Sequence, residues 1–254
     1  MSSQPNTWVL LRGLTRGSGH WAEFAAVLHH RLDAPRVIAL DLPGNGALHS
    51  QRSPARIEAM TASCLDQLRT LGAAPPYHLL AVSLGAMVAV DWAARAPETL
   101  AGAVLVNTSL RRFSPLRQRL QPGSWRQLLS IALGSGNAVD KEASILLLTS
   151  RNPQAAAAVL DDWAAERVEQ PVSAANALRQ LLAAARYSAP AEAPSVPMLI
   201  LSSRRDALVD PRCSQAIAEQ WQCDSAVHPS AGHDLTLDDG PWAAQRIGIW
   251  LESM

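Results

Sequence analysis

The sequence predicts an α/β fold: a mostly parallel sheet of about six strands, flanked by helices and carrying one all-helical insertion. Short apolar runs alternate with longer helical patterns, which is typical of parallel βαβ units. The alternation stops over residues 110–196, where helical spacing continues without an apolar strand run. At 254 residues the chain is long enough for one substantial core. We therefore expect a single domain over residues 1–254, with residues 110–196 forming a helical lid inserted within it.

Six apolar runs are predicted as strands because each is too short for a buried helix and most end at Gly, Asp, Asn or Ser. They cover residues 8–11, 37–40, 78–82, 103–106, 198–201 and 226–228. The segments between them have helical patterns over residues 20–32, 54–71, 84–96, 211–221 and 241–251. Right-handed crossovers would place all six strands in one sheet with helices on both faces.

Cap residues followed by proline predict where several helices begin. Ser53 and Asp210 each precede a proline, whose missing N–H costs nothing in the first turn of a helix. Inside the insertion, Asn152 precedes Pro153 and predicts another start. A further helix is expected to begin at Pro171 and to carry one apolar stripe, formed by Leu178, Leu181, Leu182 and Ala185.

The bulk composition is that of a globular protein, with 48% hydrophobic and 17% charged residues. Its 22 basic and 22 acidic side chains give no net charge, so neither nucleic acid nor a membrane surface is indicated as a partner. The three cysteines lack metal-site spacing, and no metal or other cofactor is predicted. Residues 1–7 are polar and show no signal-peptide pattern, so the expected compartment is the cytoplasm.

The segment HLLAVSLGAMVA, residues 78–89, carries the strongest chemical signal. A buried strand runs straight into Ser83, and a helical pattern starts directly after it. Ala81 and Gly85 are small, as a nucleophile elbow requires where side chains would clash with neighbouring elements. The Leu84 N–H, at the start of the helix, could then stabilise an oxyanion. A simpler interpretation is that Ser83 only caps the helix.

A nucleophilic serine needs a histidine base and an acid that orients it, here in the order Ser, Asp, His. Asp206 lies just past one predicted strand, where it can reach an imidazole. Asp210 is the alternative acid, although its place before Pro211 suits a helix cap better. His233 follows the last strand on a glycine-containing loop and is the predicted base. His228 lies inside that strand, where packing is the expected role.

With these residues assembled, the chain resembles the α/β-hydrolase superfamily over nearly its full length, in particular its serine-nucleophile, esterase-like members with a helical lid. LLRGL at residues 10–14, followed by GHW at 19–21, is similar to the family's loop after the third strand. DLPGNG at residues 41–46 is similar to the turn after the fourth strand. Together these motifs are specific to the fold, but none is specific to a substrate.

The resemblance implies roles for individual residues. Ser83 would attack a carbonyl, His233 would take and return the proton, and Asp206 would fix the imidazole tautomer. The resemblance also implies a second oxyanion donor, the backbone N–H of Leu14, beside that of Leu84.

Three features depart from the family pattern. Arg12 stands where the family usually has His, and it could either pair with a nearby acid or bind a substrate carboxylate. The elbow has Ala81 in place of the usual glycine. The first strand starts at about residue 7, so the two leading strands of the family are missing and six parallel strands remain.

The expected function is hydrolysis of a small carboxylic ester, thioester or lactone through an acyl-enzyme. One alternative is an acyl group linked to an acyl carrier protein or to coenzyme A. Such a partner would dock on a run of five arginines in the insertion that contains no acidic residue. A solvated helix face is the simpler interpretation of this run. The arginines are Arg111, Arg112, Arg117, Arg119 and Arg126. A second alternative is a hydrolase-like protein that binds a ligand without turnover.

Overall fold

A computed structural model of the chain describes residues 7–32, 36–133 and 136–254. Residues 1–6, which belong to the polar N-terminal segment noted above, lie outside the described residues. Six strands form one fully parallel sheet in the order β2-β1-β3-β4-β5-β6, so the predicted sheet is confirmed. The strands are β1 (Thr7–Leu11), β2 (Arg36–Leu40), β3 (Tyr77–Val82), β4 (Leu100–Val106), β5 (Met198–Ser203) and β6 (Asp224–His228).

Eleven α-helices surround the sheet in the described part of the chain. Within these ranges, none is long and apolar enough to cross a bilayer. They are α1 (Phe24–Arg31), α2 (Ile57–Thr70), α3 (Leu84–Arg95), α4 (Leu116–Arg119), α5 (Pro122–Leu133), α6 (Ala138–Thr149), α7 (Pro153–Glu169), α8 (Ala174–Arg186), α9 (Arg212–Trp221), α10 (Leu235–Asp238) and α11 (Gly240–Ser253).

The core lies on both faces of the sheet, as expected for parallel strands. Along β1, Val9 and Leu11 pack on the face covered by α2, α3 and α9. Trp8 and Leu10 alternate with them and pack on the opposite face with α1 and α11. Because all strands run the same way, the loops at their carboxyl ends share one edge of the sheet.

The four predicted helix starts have different outcomes. The start at Pro171 is wrong, because α8 begins at Ala174 and is capped by Ser173. The prediction at Ser53 is wrong, because α2 begins only at Ile57 and the Ser53 hydroxyl donates to the Pro43 carbonyl at 2.6 Å. Asn152 does cap α7, and its side chain accepts from the Ala155 N–H at 3.1 Å. Asp210 lies just before α9 and accepts from the Arg212 N–H at 3.0 Å.

The segment between β4 and β5 carries α4 to α8, and its described residues contain no strand. The predicted apolar stripe on α8 is wrong, since Leu178 is 58% exposed. The helix instead buries Asn176, Gln180 and Ala183. Gln180 accepts from the Thr15 N–H at 2.9 Å, so a polar contact with the loop after β1 determines which face of α8 is buried.

Candidate active site

Ser83 joins β3 directly to α3 with a backbone that side chains rarely adopt. Its φ is 56° and its ψ is −112°, a strained conformation that costs about 1–3 kcal/mol in a residue with a Cβ. The N–H of Ser83 donates to the Val106 carbonyl at 2.9 Å, which ties the turn to β4. Its side chain makes no capping hydrogen bond to α3. The geometry is that of a nucleophile elbow rather than of a helix cap.

Small residues around Ser83 leave room for the loop that follows β1. A Cβ on Gly85 would lie 2.6 Å from the carbonyl oxygens of Leu11 and Arg12, closer than any side chain allows. A Cβ on Gly13 would lie 3.2 Å from the Ser83 Cβ and 3.8 Å from its Oγ. The β1 loop, residues 12–16, therefore lies directly against the elbow.

The two predicted oxyanion donors lie on this loop and at the start of α3. Among the hydrogen bonds of the described residues, the N–H groups of Leu14 and Leu84 have no acceptor. Leu84 is the first residue of α3, where the helix dipole favours negative charge. The neighbouring amides are occupied: the Thr15 N–H by Gln180, and the Arg16 N–H by the Gly13 carbonyl at 3.3 Å.

Asp206 and His233 are in direct contact. Nδ1 of His233 lies 2.8 Å from Oδ2 of Asp206, and because a carboxylate only accepts, Nδ1 carries the proton and Nε2 is left free. The other oxygen, Oδ1, accepts from the N–H groups of Leu208 at 2.8 Å and Val209 at 3.0 Å. These bonds fix the carboxylate and, through it, the imidazole.

Charges around His233 favour its protonated form. Burial by itself lowers the pKa of His233, but the charge and hydrogen bond of Asp206, together with the charge of Asp234, raise it above the ordinary histidine value. The positive charge of Arg12 partly opposes them.

The alternative acid and the second histidine have other partners. Asp210 forms an ion pair with Arg212, with the closest N–O distance at 2.5 Å. Nδ1 of His228 accepts from the N–H of Ala231 at 2.8 Å, and its Nε2 lies 3.2 Å from Asp239. Both side chains stabilise local structure. In the described ranges, no group of three His, Cys, Asp or Glu side chains could hold a metal ion.

Two consecutive residues at the end of β4 bring the elbow and the loop after β6 together. Asn107 donates to the His233 carbonyl at 2.8 Å, and the Thr108 hydroxyl donates to the Ser83 carbonyl at 2.9 Å. Within the described part of the chain, the His233 ring and the Ser83 hydroxyl share no hydrogen bond. Asn107 was missed in the sequence, although an asparagine directly after a buried strand is a usable signal.

Arg12 forms a buried ion pair, one of the two roles considered for it. Its Nη1 donates to Oδ1 of Asp234 at 3.0 Å, and its Nη2 donates to Oδ2 at 2.5 Å. The guanidinium lies 5.0 Å from the ring centre of Trp21 and 6.0 Å from that of Trp163. Only 4% of Arg12 is exposed, so this side chain is committed within the protein rather than offered to a substrate.

The helical insertion reaches the β1 loop through a second buried cluster. Glu142 on α6 is fully buried and contacts the guanidinium of Arg16. It also accepts two hydrogen bonds from Arg167 on α7, at 2.8 and 3.0 Å. The ring of Trp163 lies 4.9 Å from the Arg16 guanidinium. Helices α6 and α7 are therefore attached to the loop that carries Leu14.

The model of the alpha/beta hydrolase family matches residues 8–245. The chain belongs to this family. The match extends across the whole sheet and includes Ser83, Asp206 and His233, so the resemblance seen in the sequence motifs is confirmed at the level of the family.

Solved structures with the same fold include three proteins that match nearly all of this chain. An enol-lactonase from Burkholderia xenovorans LB400 is 19% identical with a TM-score of 0.77, covering 98% of this chain and 92% of that one. A putative non-heme bromoperoxidase, BpoC, from Mycobacterium tuberculosis H37Rv is 20% identical with a TM-score of 0.75, covering 98% and 93%. A thermophilic esterase from Thermogutta terrifontis is 21% identical with a TM-score of 0.71, covering 97% and 89%. At this identity the likeness shows the fold alone.

Proposed function

We propose that this alpha/beta hydrolase cleaves a small carboxylic ester, thioester or lactone through an acyl-enzyme on Ser83. The observation that carries the proposal is the elbow at Ser83, linked through Thr108 and Asn107 to the loop whose imidazole is already oriented by a carboxylate. His233 Nδ1 is 2.8 Å from Asp206, and the Gly13 backbone lies against the serine side chain. The enol-lactonase and the esterase with this fold act on substrates of the same class, according to their names.

In the proposed reaction, Ser83 Oγ attacks the carbonyl carbon while Nε2 of His233 accepts the hydroxyl proton. The N–H groups of Leu14 and Leu84 stabilise the oxyanion that forms. Collapse of this intermediate breaks the ester bond, and the leaving alcohol or thiol takes the proton from His233. Water then attacks the acyl carbon, gives a proton to Nε2, and the acid leaves as Ser83 regains its hydrogen.

The missing bond between the Ser83 hydroxyl and the His233 ring is compatible with this role. Catalytic hydrogen bonds are often long without substrate and tighten in the Michaelis complex. The backbones of His233 and Ser83 are nevertheless linked, because the adjacent residues Asn107 and Thr108 donate hydrogen bonds to their carbonyls.

A test of the proposal combines covalent capture with turnover. The wild type should be labelled at Ser83 by a fluorophosphonate and should release p-nitrophenol from a short acyl ester with an initial burst. Ser83→Ala should lose both properties, whereas Ser63→Ala, a matched change on α2, should keep them. Equal slow hydrolysis by wild type and Ser83→Ala would refute the assignment. Ligand affinity without turnover would instead support the non-catalytic alternative.

We infer that the helical insertion over residues 110–196 acts as a lid. Trp163 and Glu142 join it to the β1 loop, and Gln180 donates to Asn45 at 2.7 Å. A substrate panel from short to long acyl chains tests this role, because a lid that limits the acyl site should give a defined length optimum.

Docking of a carrier-linked substrate is a second candidate, and four of the five arginines predicted for it are exposed. Arg119 is buried and donates to the Ala184 carbonyl at 2.6 Å, and Arg112 donates to the Ala189 carbonyl at 2.8 Å. Arg111 approaches the Arg186 carbonyl at 3.5 Å. Arg111 and Arg112 are nevertheless exposed, so only Arg119 is removed from the predicted basic surface.

Arg117 and Arg126 are exposed and form no ion pair among the described residues. We propose them as the anchor for an acidic carrier domain or a coenzyme A phosphate. Replacing both with alanine should raise KM for a carrier-linked ester and remove its salt dependence, while a p-nitrophenyl ester is hydrolysed as before. Salt-insensitive activity on the carrier ester in the wild type would argue against docking.

A further inference from the structure

Arg12 and Asp234 connect the two loops that carry the proposed catalytic groups. Arg12 begins the β1 loop, two residues before the Leu14 N–H, and Asp234 directly follows His233. The two side chains meet in a bidentate pair with N–O distances of 3.0 and 2.5 Å, although 222 residues separate them. Their side chains are only 4% and 5% exposed.

We propose that the Arg12–Asp234 ion pair positions the catalytic groups, by holding the β1 loop against the β6 loop that carries His233. The β6 loop here means residues 229–234. This inference rests on the proposed serine hydrolase function. Neither member of the pair is assigned a contact with substrate; both act through the backbone segments to which they belong.

The geometry of the pair restricts movement between the loops. A guanidinium that binds both oxygens of one carboxylate fixes direction as well as distance, which a single-point contact cannot do. The guanidinium carbon of Arg12 lies 5.0 Å from the centre of the Trp21 ring, and its Nη1 also reaches the Thr236 hydroxyl at 3.3 Å. Asp234 is held in turn, because its N–H donates to the Thr149 carbonyl at 2.9 Å.

A displaced oxyanion donor weakens transition-state stabilisation more than substrate binding. Removing one donor costs about two to three orders of magnitude in rate, and a shift of about 1 Å costs about 100-fold. Loosening the β1 loop should therefore lower kcat while KM changes little. Removing an ion pair that only stabilises the fold would lower stability, but it would not lower kcat selectively over KM.

The charges of Arg12 and Asp234 also affect the pKa of His233, the proposed base. The charged groups that act on His233 are Asp206 after β5, Asp234 beside it in the β6 loop, and Arg12 after β1. Asp234 raises the pKa of His233, whereas Arg12 lowers it. Neutralising Asp234 should therefore lower that pKa, and neutralising Arg12 should raise it. Arg12→Lys keeps the charge, so a fall in kcat in that variant comes from lost positioning and not from a changed pKa of His233.

The experiment compares Arg12→Met, Arg12→Lys and Asp234→Asn, with Arg95→Met as a control at a more exposed arginine–aspartate pair. Arg95 pairs with Asp91 at 2.8 Å on α3, outside the proposed catalytic groups. We expect kcat on a p-nitrophenyl ester to fall about 10- to 100-fold in the three test variants, with KM within about twofold of wild type. Arg95→Met should keep wild-type kcat.

The pH profile of kcat/KM is the second measurement. Its acid limb should move to higher pH in Arg12→Met and to lower pH in Asp234→Asn. It should stay in place in Arg12→Lys, which keeps the charge but loses the bidentate contact. Arg12→Lys and Asp234→Asn preserve most of the side-chain volume, so the inference can still be tested with them if Arg12→Met does not fold.

Wild-type kcat in folded Arg12→Lys and Asp234→Asn would overturn the inference. Failure of the proposed function would look different, because the wild type itself would then show neither Ser83 labelling by the fluorophosphonate nor ester turnover.

Discussion

The side-chain amide of Asn107 donates a hydrogen bond of 2.8 Å to the carbonyl of His233, although 126 residues separate the two. The same side chain donates to the Gly232 carbonyl at 3.1 Å and accepts from the Ser203 N–H at 2.8 Å. Ser203 ends β5, three residues before Asp206. One buried side chain after β4 thus joins the strand that precedes the proposed acid to the loop that carries the proposed base.

Asn107→Ala should lower both stability and activity. It leaves the Ser203 N–H and two carbonyls without their partners in a buried site, and alanine tolerates the φ of 46° at this position poorly. We expect a loss of about 2–4 kcal/mol in the free energy of unfolding, measured by urea denaturation. Asn137→Ala, which removes an exposed helix cap, should cost about 1 kcal/mol and leave kcat unchanged. Wild-type stability in Asn107→Ala would contradict this account.

The acid of the triad is tested by paired amide substitutions. Asp206→Asn keeps the shape of the side chain but can favour the wrong tautomer of His233, so kcat should fall by about four orders of magnitude. Asp210→Asn removes only an exposed pair with Arg212 and should leave kcat within about twofold of wild type. Steady-state kinetics on one ester decides between them, and the reverse ranking would assign the acid to Asp210.

The pH dependence of kcat/KM should show an acid limb from His233. The imidazole must be neutral to accept the Ser83 proton, so activity falls as the pH drops below the pKa of the free enzyme's base. The acidic neighbours hold the pKa of His233 above its ordinary value, about 6.5. We therefore expect the apparent pKa of this limb to lie above 6.5, measured between pH 5 and 9 in a constant-ionic-strength buffer. A limb well below 6.5 would mean that another group acts as the base.

The close approach of the β1 loop to α3 makes Gly85 indispensable. A Cβ there would meet two carbonyl oxygens at 2.6 Å, and backbone atoms cannot move aside cheaply. Gly85→Ala should therefore displace the β1 loop and reduce kcat by about 100-fold or more. Gly123→Ala on α5, where nothing lies within 4 Å of the new Cβ, should leave activity intact and stabilise by up to about 1 kcal/mol. Equal activity of the two variants would show that the loop tolerates the shift.

The parts of the fold governed by local patterns could be predicted from the sequence. The six strands were found because buried parallel strands are short, continuous apolar runs bounded by turn residues. Ser83, Asp206 and His233 could be proposed because each follows a predicted strand and they occur in the chain order that a Ser-Asp-His triad has in this fold. Asp206 could be preferred to Asp210 as the acid because only Asp210 precedes a proline, which favours a helix-cap role for Asp210.

Contacts between distant segments could not be predicted in the same way. The partner of Arg12 lies 222 residues away, and no local pattern specifies which acid it meets. On α8 the apolar residues suggested the wrong buried face, because Gln180 has partners only once the β1 loop is beside it. The start of α2 was placed at Pro54 instead of Ile57 for a similar reason: the Ser53 hydroxyl binds the Pro43 carbonyl rather than the helix.

Glu142 provides the last test, because it is the fully buried acid that joins the helical insertion to the β1 loop. Burial lowers the pKa of Arg16, and the charge of Glu142 is the main influence that opposes this. Glu142→Gln keeps the volume but leaves the Arg16 guanidinium buried without this counter-charge, which should cost about 3 kcal/mol in the free energy of unfolding. Glu169→Gln, the same change at an exposed position on α7, should stay within about 0.5 kcal/mol of wild type. Equal midpoints of urea denaturation for the two variants would mean that water or another group compensates Arg16, and that the insertion is held to the β1 loop by packing of Trp163 rather than by this ion pair.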